Sequence, residues 1–294
     1  MGALTDALTR DGSIRVLLED STDIVREARL IHRTSKTASA ALGRSLTAAS
    51  LMCSTLKNET DSLTLQIKGD GPLGSIVCVG ESGGNVRGYV AHPTAELPLN
   101  ENGKLDVGKA VGKGLLYVIR DTGTKEPYVG ICELATSEIA VDIAEYYAKS
   151  EQIPTVCALG VRVDDEFDIV SAGGFLLQLM PFADQSLIPA IEENIQAMES
   201  ISLLIAKNTG NKEILDQILK GMEYDILSER ETRYECTCSK ERFASGIVSL
   251  GKNEIQEMID EGKPVETRCH FCNKAYEFTP QELEELYNNA SADQ

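Results

Sequence analysis

No part of this 294-residue chain is basic. Its formal charge is −18, and the segments 1–182, 183–232 and 233–294 carry −7, −6 and −5 in turn. Nucleic-acid binding normally needs a positive footprint that displaces phosphate counterions, and that footprint is missing. Long apolar runs are missing as well. Nothing approaches the ~20 residues that span a bilayer, and Met1-Gly2-Ala3-Leu4-Thr5-Asp6 holds no apolar signal core. Asp6 stands where a myristoylation signal needs Ser or Thr. The expectation is a cytoplasmic protein without a membrane partner, in whose reducing surroundings eight cysteines imply metal, redox chemistry or burial. The outfit of an enzyme is lacking too. His32 and His92 have no triad or metal spacing, and Gly71-Pro72-Leu73-Gly74 and Gly83-Gly84 lack the lysine of a phosphate loop. There is no tryptophan, and aromatics make up only 5%.

What is present reads as an α+β protein. Ser35 to Leu56 is rich in Ala, Leu and Met behind Ser/Thr, which predicts a long, closely packed helix. Alternation at Leu63, Leu65 and Ile67 predicts a half-buried strand, and Glu81–Asn85 joins two more strands as a hairpin. Further strands are expected at 115–119, 128–134, 155–163 and 169–176, around a helix near 138–148, with mostly antiparallel pairing. The result is a mixed sheet-and-helix core domain over 1–182. A helical linker follows over 183–232, with Ile188, Ile191, Ile195, Met198 and Ile201 on one helix and Ile214, Leu215, Ile218, Leu219 and Met222 on another. Gly210-Asn211 separates the two. The apolar face of this pair is read either as a plain helical hairpin or as a releasable, client-binding surface. In 233–294 the elements are short: helices behind Ser239 and Asn253, strands at 265–268 and 275–278, and a capping box with Pro at the first helical position, Thr279-Pro280-Gln281-Glu282. So small a domain with so few apolar residues needs a staple.

Four cysteines can supply it. Cys236-Thr237-Cys238, thirty residues and Cys269-His270-Phe271-Cys272 make a four-thiolate set suited to one tetrahedral Zn²⁺. Zinc holds sulfur as thiolate, the form that peroxide attacks, and Arg233, Lys240, Arg242, Arg268 and Lys274 are near enough in sequence to offset the negative charge. The first attack is expected at the tight pair Cys236/Cys238 or the exposed pair Cys269/Cys272. Oxidation within each pair would close only tiny loops and cut the long-range link, whereas cross-pairing would preserve it. A permanently closed structural zinc site remains an alternative. His270 reads as a bystander, and the isolated Cys53, Cys78, Cys132 and Cys157 read as small buried hydrophobes.

The Cys236-x-Cys238-x30-Cys269-x2-Cys272 pattern resembles the redox switch of the heat-shock protein 33 family, the 33 kDa redox-regulated chaperonins of the bacterial cytosol. His32–Arg44, Gly71–Ile76 with Asn85–Tyr89, Ala172–Pro181 and Glu235–Arg242 resemble other segments of that family. Phe182 departs from it where Gly is expected. The resemblance implies an ATP-independent holdase, not an enzyme, that is inactive when reduced and zinc-bound. Oxidation to next-neighbour disulfides, zinc release and unfolding of the C-terminal domain and linker would activate it as a homodimer. It would then bind unfolding proteins and hand them to the cytosolic 70 kDa heat-shock chaperone machinery. Two rivals are weighed beside it. A zinc-ribbon binding module without redox switching, acting on nucleic acid or a transcription complex, conflicts with the charge. A thiol-disulfide oxidoreductase using Cys269/Cys272 lacks the βαβ setting.

Overall fold

The computed structural model describes residues 1–181 and 183–289, so the departure at Phe182 lies outside the described residues. The chain divides into two compact units, Met1–Glu235 and Cys236–Gln294.

The first unit opens with β1 (Gly2–Thr9), β2 (Ile14–Asp20), α1 (Thr22–His32) and α2 (Lys36–Cys53). Next come β3 (Ser62–Gly69), β4 (Ser75–Glu81), β5 (Val86–Val90), α3 (Val107–Val111), β6 (Gly114–Asp121) and β7 (Tyr128–Glu133). They are followed by α4 (Ile139–Tyr146), a π-helical turn over Tyr147–Glu151, β8 (Thr155–Val163) and β9 (Ile169–Leu179). The unit closes with α5 (Ile188–Ala197), α6 (Ile201–Ala206), α7 (Asn211–Ile218) and β10 (Tyr224–Thr232). Two five-stranded antiparallel sheets result, ordered β10-β1-β2-β9-β8 and β5-β4-β3-β6-β7.

Helix α2 packs on strands of both sheets. Ser35 caps it by accepting from the backbone N–H of Ala38. Its many small residues are what allow that placement: a Cβ on Gly43 would meet Val25 Cγ1 at 2.6 Å and Val161 Cγ2 at 2.9 Å. Its buried hydroxyls bond back to the helix, Ser45 to the carbonyl of Ala41 and Thr47 to that of Gly43, both at 2.9 Å. They therefore cost little in an otherwise apolar setting.

The other face of the first sheet has a different cover. Ala7 on β1, Ile14, Val16 and Leu18 on β2 and Phe175, Leu177 and Leu179 on β9 form one buried cluster with Ile191, Ile201, Leu204, Ile205, Ile214, Leu215, Ile218 and Leu219. Residues 188–219 therefore roof the sheet. The roof keeps the expected separation at Gly210-Asn211 and differs from the expected pair of helices in two ways. The series from Ile188 to Ile201 breaks at Met198, whose backbone is extended, and restarts as α6. The next helix begins as expected at Asn211, whose side-chain amide donates to the carbonyl of Ala3 and to Thr5 Oγ1, both at 3.0 Å. Finally, 224–232 is a strand, β10, paired with β1 from Gly2↔Thr232 to Thr9↔Tyr224.

The second unit holds α8 (Lys240–Leu250), α9 (Lys252–Asp260), the hairpin β11 (Val265–Arg268) with β12 (Ala275–Phe278), and α10 (Pro280–Asn289). Ser239 caps α8 through the N–H of Arg242. Gly251, rather than a residue at 253, precedes α9. The capping box forms as written, with the Thr279 N–H donating to Glu282 Oε2 at 2.9 Å and the Glu282 N–H to Thr279 Oγ1 at 3.3 Å. Its buried cluster is Ile247, Ile255, Tyr276, Phe278 and Leu283. Among the described residues of this unit, a cluster of five such side chains is a thin core.

Candidate metal and redox centre

The second unit brings Cys236, Cys238, Cys269 and Cys272 together, with all four sulfurs within 4.8 Å of one another. Cys236 and Cys238 lie just ahead of the cap of α8. Cys269 to Asn273 form the turn of the β11–β12 hairpin. The Asn273 N–H donates to the Cys269 carbonyl at 2.8 Å, and the Cys269 N–H to the Lys274 carbonyl at 3.0 Å. Asn273 takes the left-handed conformation, φ 59°, that closes this turn.

Two sulfur approaches run between the pairs: Cys236 to Cys269 at 3.7 Å and Cys238 to Cys272 at 3.4 Å. Four thiolates at a Zn–S distance of about 2.3 Å stand about 3.8 Å apart along each tetrahedral edge. The donor set and its spacing thus fit a four-coordinate metal. His270 is exposed and outside the cluster.

Tyr276, on the inward face of β12, was not singled out by the sequence. Its hydroxyl donates to the Cys238 carbonyl at 3.0 Å and lies 3.2 Å from Cys238 Sγ. The alternation in Ala275-Tyr276-Glu277-Phe278 was the available signal. Cys236 and Cys272 stand above the usual thiol range, burial being the first cause for each. At Cys238 burial also acts upward, but the Tyr276 hydroxyl and the neighbouring sulfurs outweigh it and bring the thiol down to about 7. One sulfur is thereby already inclined to the thiolate form. Cys269 is only 4% exposed, which corrects the reading of Cys269/Cys272 as an exposed pair. The turn folds its first sulfur inward, and the other three cysteines are half-buried.

The cations expected to offset the charge are mostly engaged. Lys240 pairs with Glu282, Arg268 with Glu266 and Arg233 with Glu231. Arg242 donates to Thr237 Oγ1 at 2.9 Å, and the Lys274 ammonium lies 5.1 Å from the Tyr276 ring centre. The remaining cysteines lie in the first unit. Cys53 and Cys78 are buried, Cys132 and Cys157 half-buried, and burial raises the thiol of each. They are poor nucleophiles. Among the described residues no helix is long and apolar enough to cross a membrane.

Comparison with known proteins adds the lineage of this arrangement. A family model described as Hsp33 protein matches residues 3–279. A 33 kDa chaperonin of Acetivibrio thermocellus is 49% identical, with 94% of each chain covered. That of Bacillus licheniformis is 46% identical over 97% of this chain and 99% of its own. The crystal structure of the 33 kDa chaperonin of Thermotoga maritima superposes with a TM-score of 0.90 at 37% identity, covering 99% of both chains.

Proposed function

The chain belongs to the Hsp33 protein family, and from that premise we propose that it is a redox-regulated, ATP-independent chaperone that holds unfolding proteins. The observation that carries this reading is the roof over the first sheet. An entire apolar sheet face is covered by 188–219, and this segment runs through β10 into the four-cysteine cluster. In this reading 1–182 is the core domain, 183–232 the releasable linker and 233–294 the redox switch.

Cys236, Cys238, Cys269 and Cys272 hold one Zn²⁺ in the reduced protein. When bound, the metal supplies a cross-link between segments some thirty residues apart and on the order of 10–16 kcal/mol of apparent folding free energy. Oxidation joins Cys236 to Cys238 and Cys269 to Cys272. Each disulfide forms from two thiolates that give up two electrons, and peroxide with two protons is reduced to two waters. No thiolate then remains to hold the metal, and each new bond closes only a local loop. A unit whose described residues form so thin a buried apolar cluster cannot stand on that core alone. Its unfolding destabilises the linker, and the uncovered residues of sheet and roof become client surface in a homodimer. Clients then pass to the ATP-dependent 70 kDa heat-shock machinery. The protein works in the cytoplasm and performs no catalysis.

The test is light scattering of a chemically unfolded client diluted into buffer, with reduced zinc-loaded protein and with peroxide-oxidised protein, while a chelating dye reports zinc. Suppression only after oxidation, with zinc released in step, is expected. Equal suppression in both states, or none in either with zinc retained, overturns the proposal.

A further inference from the structure

We infer that Glu19 is a buried, proton-loaded latch that fastens the C-terminal end of β10 to the core and loosens it as its proton is lost. Glu19, Thr232 and Ser50 are each 0% exposed. Thr232 ends β10, Glu19 lies near the end of β2, and Ser50 lies in the last turn of α2. Thr232 Oγ1 is 2.6 Å from Glu19 Oε1, and Ser50 Oγ is 2.9 Å from the same oxygen and 2.7 Å from the Gly84 carbonyl. Gly84, at φ 100°, leaves the room for this: a Cβ there would stand 2.7 Å from Thr232 Cγ2.

Counting hydrogens decides the protonation state. Three short oxygen–oxygen contacts need three hydrogens, and the two hydroxyls bring two. The third is supplied if Glu19 is a carboxylic acid that donates to Ser50, which then donates to Gly84. An ionised Glu19 would leave one contact without a hydrogen, and its buried Oε2, which has no hydrogen-bond partner, would be an unsolvated charge. The neighbours offer no countercharge. Leu4 on β1 and Gly174 on β9 oppose Glu19 in register. The titratable groups acting on it or feeling it are Asp20 on its own strand and the Cys53 thiol of α2. Burial, ahead of the opposing hydroxyl bonds, accordingly raises the Glu19 carboxyl from 4.5 to about 7.

The sign follows from linkage. A carboxyl raised in the closed form stabilises that form fully below its open-state value, and the contribution is lost as pH climbs through the closed-state value. With 4.5 open and about 7 closed, the opening equilibrium grows about 40-fold between pH 5 and pH 7 and then levels off. Opening acts at a sensitive point. Residues 233–235 continue from Thr232 onto β5, with the Val86 N–H donating to the Arg233 carbonyl at 2.9 Å and the Glu235 N–H to the Val86 carbonyl at 2.8 Å. The next residue is the first cysteine of the cluster.

The experiment uses the reduced, zinc-loaded full chain and no chaperone assay, so its outcome is separate from the holdase reading. Hydrogen exchange of 224–235 is followed from pH 5 to pH 8 and corrected for the intrinsic rate. In parallel, infrared difference spectra of the 13C-glutamate-labelled protein report protonated carboxyls. Protection should fall about 40-fold from pH 5 to pH 7, and a carboxylic-acid band should titrate near pH 7. Both should vanish in Glu19→Gln, which keeps the shape and stays neutral. Protonation of the cysteine cluster is common to both proteins and cancels between them. Flat corrected protection in the wild type, no such band at pH 5, or the same pH response in Glu19→Gln overturns the latch. If the variant does not fold, the two wild-type measurements still decide.

Discussion

Which cysteines join on oxidation decides whether the second unit keeps its fold, and the size of the effect can be worked out. Two double variants carry the same number of serines. Cys269→Ser/Cys272→Ser leaves Cys236 and Cys238, which close a three-residue loop. Cys238→Ser/Cys272→Ser leaves Cys236 and Cys269, whose sulfurs lie 3.7 Å apart across 33 positions of sequence. In the chain-entropy treatment the short loop removes about 1.6 kcal/mol of unfolded-state freedom and the long one about 3.8 kcal/mol. The difference of about 2 kcal/mol is about a 30-fold ratio in the opening equilibrium. Hydrogen exchange of 236–289 in the two oxidised, zinc-free proteins at 25 °C would read it directly. The cross-linked variant should exchange about 30-fold more slowly. Equal exchange, or slower exchange in the short-loop variant, would refute the argument that a neighbour disulfide fails as a staple because its loop is small.

Two other outcomes are expected. Tyr276→Phe removes the hydroxyl at Cys238 and should weaken zinc binding about 10–100-fold, as losses of groups around metal ligands do. Competition against a chelator of known affinity measures this, and affinity within twofold of wild type would deny the hydroxyl that role. Ile218→Ala empties a fully buried position of the roof and should cost about 2–5 kcal/mol. Under mild heat the reduced variant should suppress client aggregation without oxidant. A variant destabilised to this extent in urea, yet as inactive as the reduced wild type, would separate the roof from client binding.

The four-cysteine cluster was legible because ligand chemistry imposes its own spacing. Two close pairs of thiolates announce a tetrahedron wherever the chain between them runs, and the capping box at Thr279 is equally local. Strands β1 and β2 carried no readable signal, since their burial is nearly continuous and the alternation of a half-buried strand is missing. Strand β10 was hidden for the opposite reason. It is an edge strand with Asp225, Glu229 and Glu231 exposed, and its partner lies over two hundred residues away. The break at Met198 was invisible because Ile195, Met198 and Ile201 keep helical spacing across it. Periodicity records which side chains face the core, not whether the backbone between them stays helical. Glu19 could not be found from sequence at all, because its setting joins β2, α2, the turn at Gly84 and β10.

The pairing of β1 with β10 also sets a condition on how the chain is made. As the chain emerges from the ribosome, β1 finds one neighbour, β2, within twenty residues, and the other only after residue 232 has been added. At about 5–20 residues per second, that second edge stays open for tens of seconds of synthesis. Over that interval the face later roofed by 188–219 is open as well. A protein whose function is proposed to be shielding the exposed surfaces of others thus passes through an interval in which its own nascent chain presents the same hazard.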